Sequence, residues 1–143
     1  MDGTELMRKV AKGLEKSDPQ PLLDAIHENI VWKSATKHEG LFRISGEHKG
    51  RAGVLTVISS ISMNFKLHRF TPKEIIADRD IVWGHIDVAM TFDPKSKGHP
   101  PKAINMELAI RWRLKDDKII ENQIYFDTAS LLIQQGLLAR PSA

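Results

Sequence analysis

The sequence has no cysteine, so it can hold neither a disulfide framework, nor a thiolate nucleophile, nor a zinc–thiolate site. It also has no apolar run of membrane-spanning length. Met1 is followed by Asp2, Glu5 and Arg8, where a secretory leader would have its apolar core, so a soluble cytoplasmic protein with no membrane association is expected. Net charge is small: 21 basic residues face 18 acidic ones, giving +3 and a pI near 9.2. That balance permits an anionic partner without arguing for one. Internal repeats and low-complexity segments are missing too. The six histidines, His27, His38, His48, His68, His85 and His99, include no pair two or four apart and no convergent carboxylates. No metal site and no cofactor are therefore expected.

What is present is enough for one domain over residues 1–143, with 41% hydrophobic residues to build a single core. The clearest signal lies near the end of the chain. Met106, Leu108, Ile110 and Trp112 share one face of a strand from Ala103 to Leu114, with Asn105, Glu107, Arg111 and Arg113 on the other. After the turn Lys115-Asp116-Asp117-Lys118, a partner strand from Ile119 to Asp127 sets Ile120, Ile124 and Phe126 against Glu121, Gln123 and Tyr125. The pair reads as an antiparallel hairpin whose apolar face needs a cover.

The earlier chain supplies it. Leu6, Met7, Val10, Ala11 and Leu14 predict a helix to about Lys16, opened by Asp2 and Glu5. Asp18 and Pro19 predict the start of a short second helix with Leu22, Leu23 and Ile26 facing inward. Asn29 to Ala35 alternates as a strand, with Ile30, Trp32 and Ser34 on one side. Thr36 to Gly50 reads as a long polar loop, and Val54, Val57, Ile58 and Ile61 predict a third helix ending near Asn64. Lys66 to Ala77 is a strand interrupted at Pro72, which belongs on an edge or at a bulge. Ile81 to Phe92 is a second long strand, Asp93 to Pro101 a loop, and Asp127 caps a last helix that Gly136 stops.

Helices followed by a strand meander predict an α+β domain: a cone-shaped, strongly curved antiparallel sheet covered by three helices from the N-terminal half. The hollow between them is the expected binding site for a small apolar molecule. His85 and Asp87, two apart on one strand, point to one face with Trp83 and Ala89, opposite Val82, Ile86, Val88 and Met90. If the first face lines the hollow, Asp87 is suited to take a proton or orient water and His85 to donate or polarise a carbonyl. A structural hydrogen bond at the pocket floor is the plainer alternative. Trp32, Ser34, Trp83, Met106, Leu108, Ile124 and Phe126 are the expected substrate-contacting walls, the tryptophans either stacking on a flat ligand or packing the core.

The strand Asn29-Ile30-Val31-Trp32, Gly50-Arg51 opening the third helix, and Tyr125-Phe126-Asp127 followed by Leu131-Leu132 and Gln135-Gly136 also carry a resemblance. From Thr4 to Gly136 the chain resembles the SnoaL-like members of the nuclear transport factor 2 superfamily, which include ketosteroid isomerases, limonene epoxide hydrolases and polyketide cyclases. The resemblance implies their cone-shaped, barrel-like α+β fold and an isomerase, cyclase or hydrolase class of activity on a ring-bearing molecule. Carried over by residue, it sets Ser34 where the isomerases have their general-base aspartate and Ile124 where hydrolases and cyclases have an acid. His85 and Asp87 align with an arginine and aspartate of the epoxide hydrolases, and Trp32 and Ser34 with their tyrosine and asparagine. Only Asp87 is kept, so a non-catalytic binding module stands beside the enzyme reading.

Two further expectations concern partners. Val82, Ile86, Val88 and Met90, opposite the presumed pocket face, need a cover of their own, and a homodimer packed through the outer sheet face is expected. Lys37, His38, Arg43, His48, Lys49 and Arg51 form a basic patch around the glycine-rich loop, which lacks the Lys-Ser or Lys-Thr of a phosphate-binding loop. That loop reads as a solvated rim or lid. With no stacking aromatics interleaved beyond Phe42, nucleic acid is not an expected partner.

Overall fold

Helix α1 (Gly3–Glu15) begins where Asp2 accepts the backbone N–H of Glu5 at 2.8 Å, satisfying one of the donors that a helix start leaves open. The structure is a computed structural model and describes residues 2–34, 45–95 and 98–139. Met7, Val10 and Ala11 form the buried face of α1. After it, Ser17 takes a left-handed turn and the Asp18 N–H returns to Gly13 O at 2.8 Å. Asp18 Oδ1 then accepts from Gln20 N at 3.0 Å at the start of α2 (Gln20–Ala25). Ile26, expected on the inner face of that helix, is instead the buried first residue of β1 (Ile26–Lys33).

The remaining elements follow as β2 (Glu47–Lys49), α3 (Gly50–Asn64), β3 (Phe65–Asp78), β4 (Ile81–Phe92), β5 (Lys102–Lys115), β6 (Lys118–Tyr125) and α4 (Thr128–Gln134). They make a mixed α+β domain with one six-stranded sheet in the order β2-β1-β6-β5-β4-β3. Four of its five pairings are antiparallel, as expected; β1 and β6 run parallel, a direction that side-chain alternation cannot report. The sheet is open, with β2 and β3 as its edges. Within the long expected loop, residues 36–44 lie outside the described residues, Lys37, His38, Phe42 and Arg43 among them, and so does Ala35. Glu47–Lys49 is a short strand on β1.

Local chemistry sets the bends. Asp116 and Asp117 both take positive φ, the conformation of a two-residue hairpin turn matched to strand twist. Pro72 sits on the edge strand β3 beside a register shift between Pro72 and Glu74, where a missing N–H costs no internal ladder bond. In β6 one extra residue, Ile120, faces the step from Arg113 to Leu114. This bulge carries Ile119 into the core at 0% exposure, although Ile120 is the residue that simple alternation picks.

The core is built on the inner face of the sheet from Ile30, Trp32, Val82, Ile86, Val88, Leu108, Ile110, Trp112 and Ile119, met by Met7 and Val10 of α1, Leu22 of α2, and Val54 and Val57 of α3. Each such side chain contributes about 1.5–3 kcal/mol by leaving water. Gly84 admits α1 to the sheet: a Cβ there would collide with Met7 Sδ. A smaller cluster of Phe92, Ile104 and Leu131 closes the other end, under α4. No helix among the described residues is long and apolar enough to cross a membrane.

Candidate functional site

The curved sheet and its helices do not fill the space between them. A cavity of about 480 Å³ remains, within the range of pockets that hold small organic ligands. Trp32 and Ser34 of β1, Ile86, Val88 and Met90 of β4, Met106, Leu108, Ile110 and Trp112 of β5, and Asn122 and Ile124 of β6 form its sheet wall, continued by Phe126. Met7 and Val10 of α1 and Val57, Ile58 and Ile61 of α3 face them. Among the described residues that line it there is no aspartate, glutamate, histidine, lysine, arginine or tyrosine. Its polar side chains are Ser34, Ser60, Asn64, Asn122 and Gln135.

Asn122 is the most constrained of these. The Trp112 Nε1–H donates to Asn122 Oδ1 at 2.9 Å, with the two residues only 3% and 1% exposed. An indole nitrogen can only donate, so the amide oxygen must face it and the NH2 group must face away. That Nδ2 has no hydrogen-bond partner. At the other end of the cavity Gln135, 4% exposed, holds an Oε1 that is likewise without a partner. A buried polar group left unpaired costs about 1–3 kcal/mol, so both amides are held where they are by the packing around them.

Gln135 is held in place through its neighbour. Gln134 Oε1 accepts from Asn105 N at 2.8 Å and its Nε2 donates to Asn105 O at 2.9 Å, docking α4 on β5. Asp127 caps that helix by accepting from Ser130 N at 2.9 Å, as its position in the sequence suggests. Asn122 stands out by no motif, and Gln135 enters the sequence reading only within the Gln135-Gly136 pair, not as a residue of the cavity. The available signal for Asn122 is an amide alone on the inward face that continues to Ile124 and Phe126.

Six of the nine residues expected at the site do line the cavity: Trp32, Ser34, Met106, Leu108, Ile124 and Phe126. His85, Asp87 and Trp83 do not, and the expectation that they project into the hollow is overturned. Strand β4 turns its more apolar face, Val82, Ile86, Val88 and Met90, toward the helices and cavity, because burying that face removes more hydrocarbon from water. The alternate residues are left outside. Asp87 accepts from Arg69 Nε at 2.9 Å, and His85 Nε2 lies 3.5 Å from Glu107 Oε1, itself bonded to Lys73 Nζ at 2.7 Å. The Lys73 hydrogen bond and charge hold the Glu107 carboxyl below the ordinary carboxylate range, and Glu107 raises the Lys73 ammonium in return.

The same orientation removes the reason given above for a covering chain, since the Val82 face is covered by the protein's own helices. The outer face carries a different apolar feature. Trp83 and Tyr125 stack with ring centroids 6.3 Å apart, at 42% and 47% exposure, and Ile76, directly across from Trp83, is 65% exposed. Among the described residues, no group of three or more histidines and carboxylates is placed to hold a metal ion.

Comparison with known proteins places this geometry in a family. The SnoaL-like domain profile matches residues 7–122. No curated protein sequence matches the chain. Among solved structures, an NTF2-like protein of unknown function from Burkholderia pseudomallei superimposes with a TM-score of 0.78 at 16% identity, covering 92% of this chain and 95% of that one. A protein with a ketosteroid isomerase-like fold from Catenulispora acidiphila, in complex with trimethylamine, gives 0.74 at 18% identity over 96% and 98%. TerC, co-crystallised with polyporic acid, gives 0.73 at 18% identity over 93% and 97%.

Proposed function

The chain belongs to the SnoaL-like domain family, and within it we propose a binding role: the cavity takes up a neutral, apolar, ring-bearing small molecule. The carrying observation is the composition of the lining, which among the described residues holds no titratable side chain. A charged ligand would lose its hydration there and find no opposite charge. General acid or base catalysis needs a titratable group within about 2.6–3.2 Å of the proton it moves, and the described walls offer none. The arrangement therefore favours binding over side-chain acid–base turnover by an isomerase, cyclase or hydrolase. Other proteins of this fold hold small molecules, trimethylamine in one structure and polyporic acid in another, which supports a small-molecule site in general and not the neutral, ring-bearing character proposed for this one.

Titration with the neutral dye Nile red tests it. One dye per cavity is expected, with emission shifted toward the blue, and Leu108→Trp, which sets a larger ring into the hollow, is expected to weaken the signal while keeping the far-ultraviolet circular dichroism of the parent. Failure of the native protein to bind the dye, or unchanged dye affinity in the variant, would sink the proposal.

We further propose that the protein pairs with a second copy through the outer face of the sheet. Trp83, Tyr125 and Ile76 supply an apolar centre, and the ion pairs Arg69–Asp87, Lys73–Glu107 and Arg113–Asp80 supply a polar surround, the arrangement of protein–protein interfaces in general.

A further inference from the structure

We propose that the end of the molecule around the cavity mouth docks on a lipid bilayer with anionic headgroups, from which the apolar ligand passes into the cavity. The passage of ligand rests on the binding role proposed above; the docking rests on the surface alone. Phe65 of β3, Phe92 of β4 and Lys102 of β5 stand side by side in the ladder and mark one end of the sheet. Helix α3 runs directly into Phe65, and the chain after α4 lies over Lys102, whose Cε is 3.8 Å from where a Cβ on Gly136 would stand. Phe65 and Phe92, ring centroids 5.2 Å apart, pack with Leu131 of α4, so α3 and α4 meet here.

The cavity reaches the surface at the same place. Of its described wall residues Leu137 alone is exposed, at 54%. Leu138 follows it in the chain and Met63 precedes the lining residue Asn64, and both of these are exposed as well. Burying such side chains is favourable in proportion to the apolar area removed from water, so the rim is suited to a partner that offers hydrocarbon.

Charge selects the partner. The chain has no acidic residue between Glu47 and Glu74, between Asp93 and Glu107, or after Asp127, the three stretches that converge on this end. Lys66 adjoins Phe65 and Lys102 is in the row itself, and among the described residues neither takes part in an ion pair. The Asp93 carboxylate is met by Lys95 Nζ at 3.4 Å. An apolar rim edged by unpaired lysines complements hydrocarbon beneath anionic headgroups. A second copy would bring the same lysines against these and be repelled. A soluble acidic protein matches the charge but holds no store of an apolar molecule, whereas a bilayer dissolves one. Lying on the surface requires no spanning helix, and the described residues contain none.

Cosedimentation of the full chain with vesicles tests the docking. The protein should bind vesicles of mixed phosphatidylcholine and phosphatidylserine about tenfold tighter than vesicles of phosphatidylcholine alone, and should leave them as salt rises. Lys66→Gln and Lys102→Gln should each weaken binding about fivefold. Met63→Gln and Leu138→Gln should weaken it too, and all four variants should keep the parent's affinity for Nile red, since none of these residues lines the cavity. Nile red carried by the protein should pass to the mixed vesicles at a rate that rises with vesicle concentration; a rate independent of it would show release through water and overturn the transfer. No binding to the mixed vesicles, or binding that all four variants leave unchanged, would overturn the docking, while dye uptake would still uphold the cavity. If Met63→Gln and Leu138→Gln instead turned a dimer into a monomer in sedimentation velocity, the face would belong to a second copy and the proposal would fall. A protein that binds the vesicles but no dye would keep the docking and overturn the binding role together with the transfer.

Discussion

Arg69 Nε donates to Asp87 Oδ2 at 2.9 Å on the side of the sheet turned away from the cavity, with the two side chains 45% and 30% exposed. A pair so open to water is screened and contributes at most about 1 kcal/mol. Asp87→Asn should therefore leave the affinity for Nile red unchanged and lower the unfolding free energy by less than about 1 kcal/mol, read from urea denaturation. A large loss of binding on this substitution would restore Asp87 to the site and contradict the outer placement.

The stacked pair of Trp83 and Tyr125 reaches across β5 over the small side chain of Ala109, which lies between His85 and Tyr125 in the ladder. Aromatic anchors at the centre of an interface are where truncation or charge does most harm. Tyr125→Asp and Trp83→Arg should each shift the protein from dimer toward monomer in sedimentation velocity at micromolar concentration. Binding of the dye, inside the cavity, should be retained by the monomer.

The helices, most of the sheet and six of the residues that line the cavity were legible in the sequence because apolar residues at period two and at helical spacing report which faces are buried. Strand β4 exposed the limit of that signal. Both of its faces carry apolar residues, Trp83 and Ala89 on one, Val82, Ile86, Val88 and Met90 on the other. The sequence-level choice turned His85 and Asp87 inward by the chemical interest of the pair, while the fold turned the greasier set inward. Asn122 and Gln135 were not legible as cavity residues for another reason. Their importance comes from an unpaired atom in a buried setting, which only the placement of Trp112 and of α4 reveals. The parallel direction of β1 against β6 was likewise beyond what alternation records.

Gly13 offers a prediction whose sign runs against helix propensity. In an exposed helix interior, glycine to alanine stabilises by up to about 1 kcal/mol. Here a Cβ would stand 2.8 Å from the Asp18 carbonyl oxygen and 2.8 Å from Pro21 Cγ, and backbone and proline ring cannot swing aside as a long side chain can. Gly13→Ala should therefore destabilise the protein by about 1–3 kcal/mol, the cost of overpacking, seen as a lower denaturation midpoint at unchanged slope. A gain in stability would show that the junction of α1 and α2 yields more easily than its packing implies.

The hold of Gln134 on Asn105 makes the last prediction. Strand β6 pairs with β5 only from Lys115 back to Ala109, so Asn105 lies beyond its reach. Gln134 supplies what a further strand residue would: an acceptor for Asn105 N and a donor for Asn105 O. Helix α4 has seven residues, too few to persist in water without such an anchor, and Leu131 and Gln135 reach the cavity from it. Gln134→Ala should lower stability by about 1–3 kcal/mol through the two lost bonds to Asn105 and a third to Ser130 Oγ, and weaken ligand affinity as that wall loosens. Hydrogen exchange separates this from a general loss of stability, since the Asn105 amide should lose far more protection than amides of β4 such as Val88. Gln134→Glu keeps the acceptor and loses the donor, so it should preserve protection at Asn105 N while still costing part of the stability. If both variants left Asn105 as protected as before, α4 would be held by Leu131 packing alone, and the side-chain clamp would have no part in shaping the cavity.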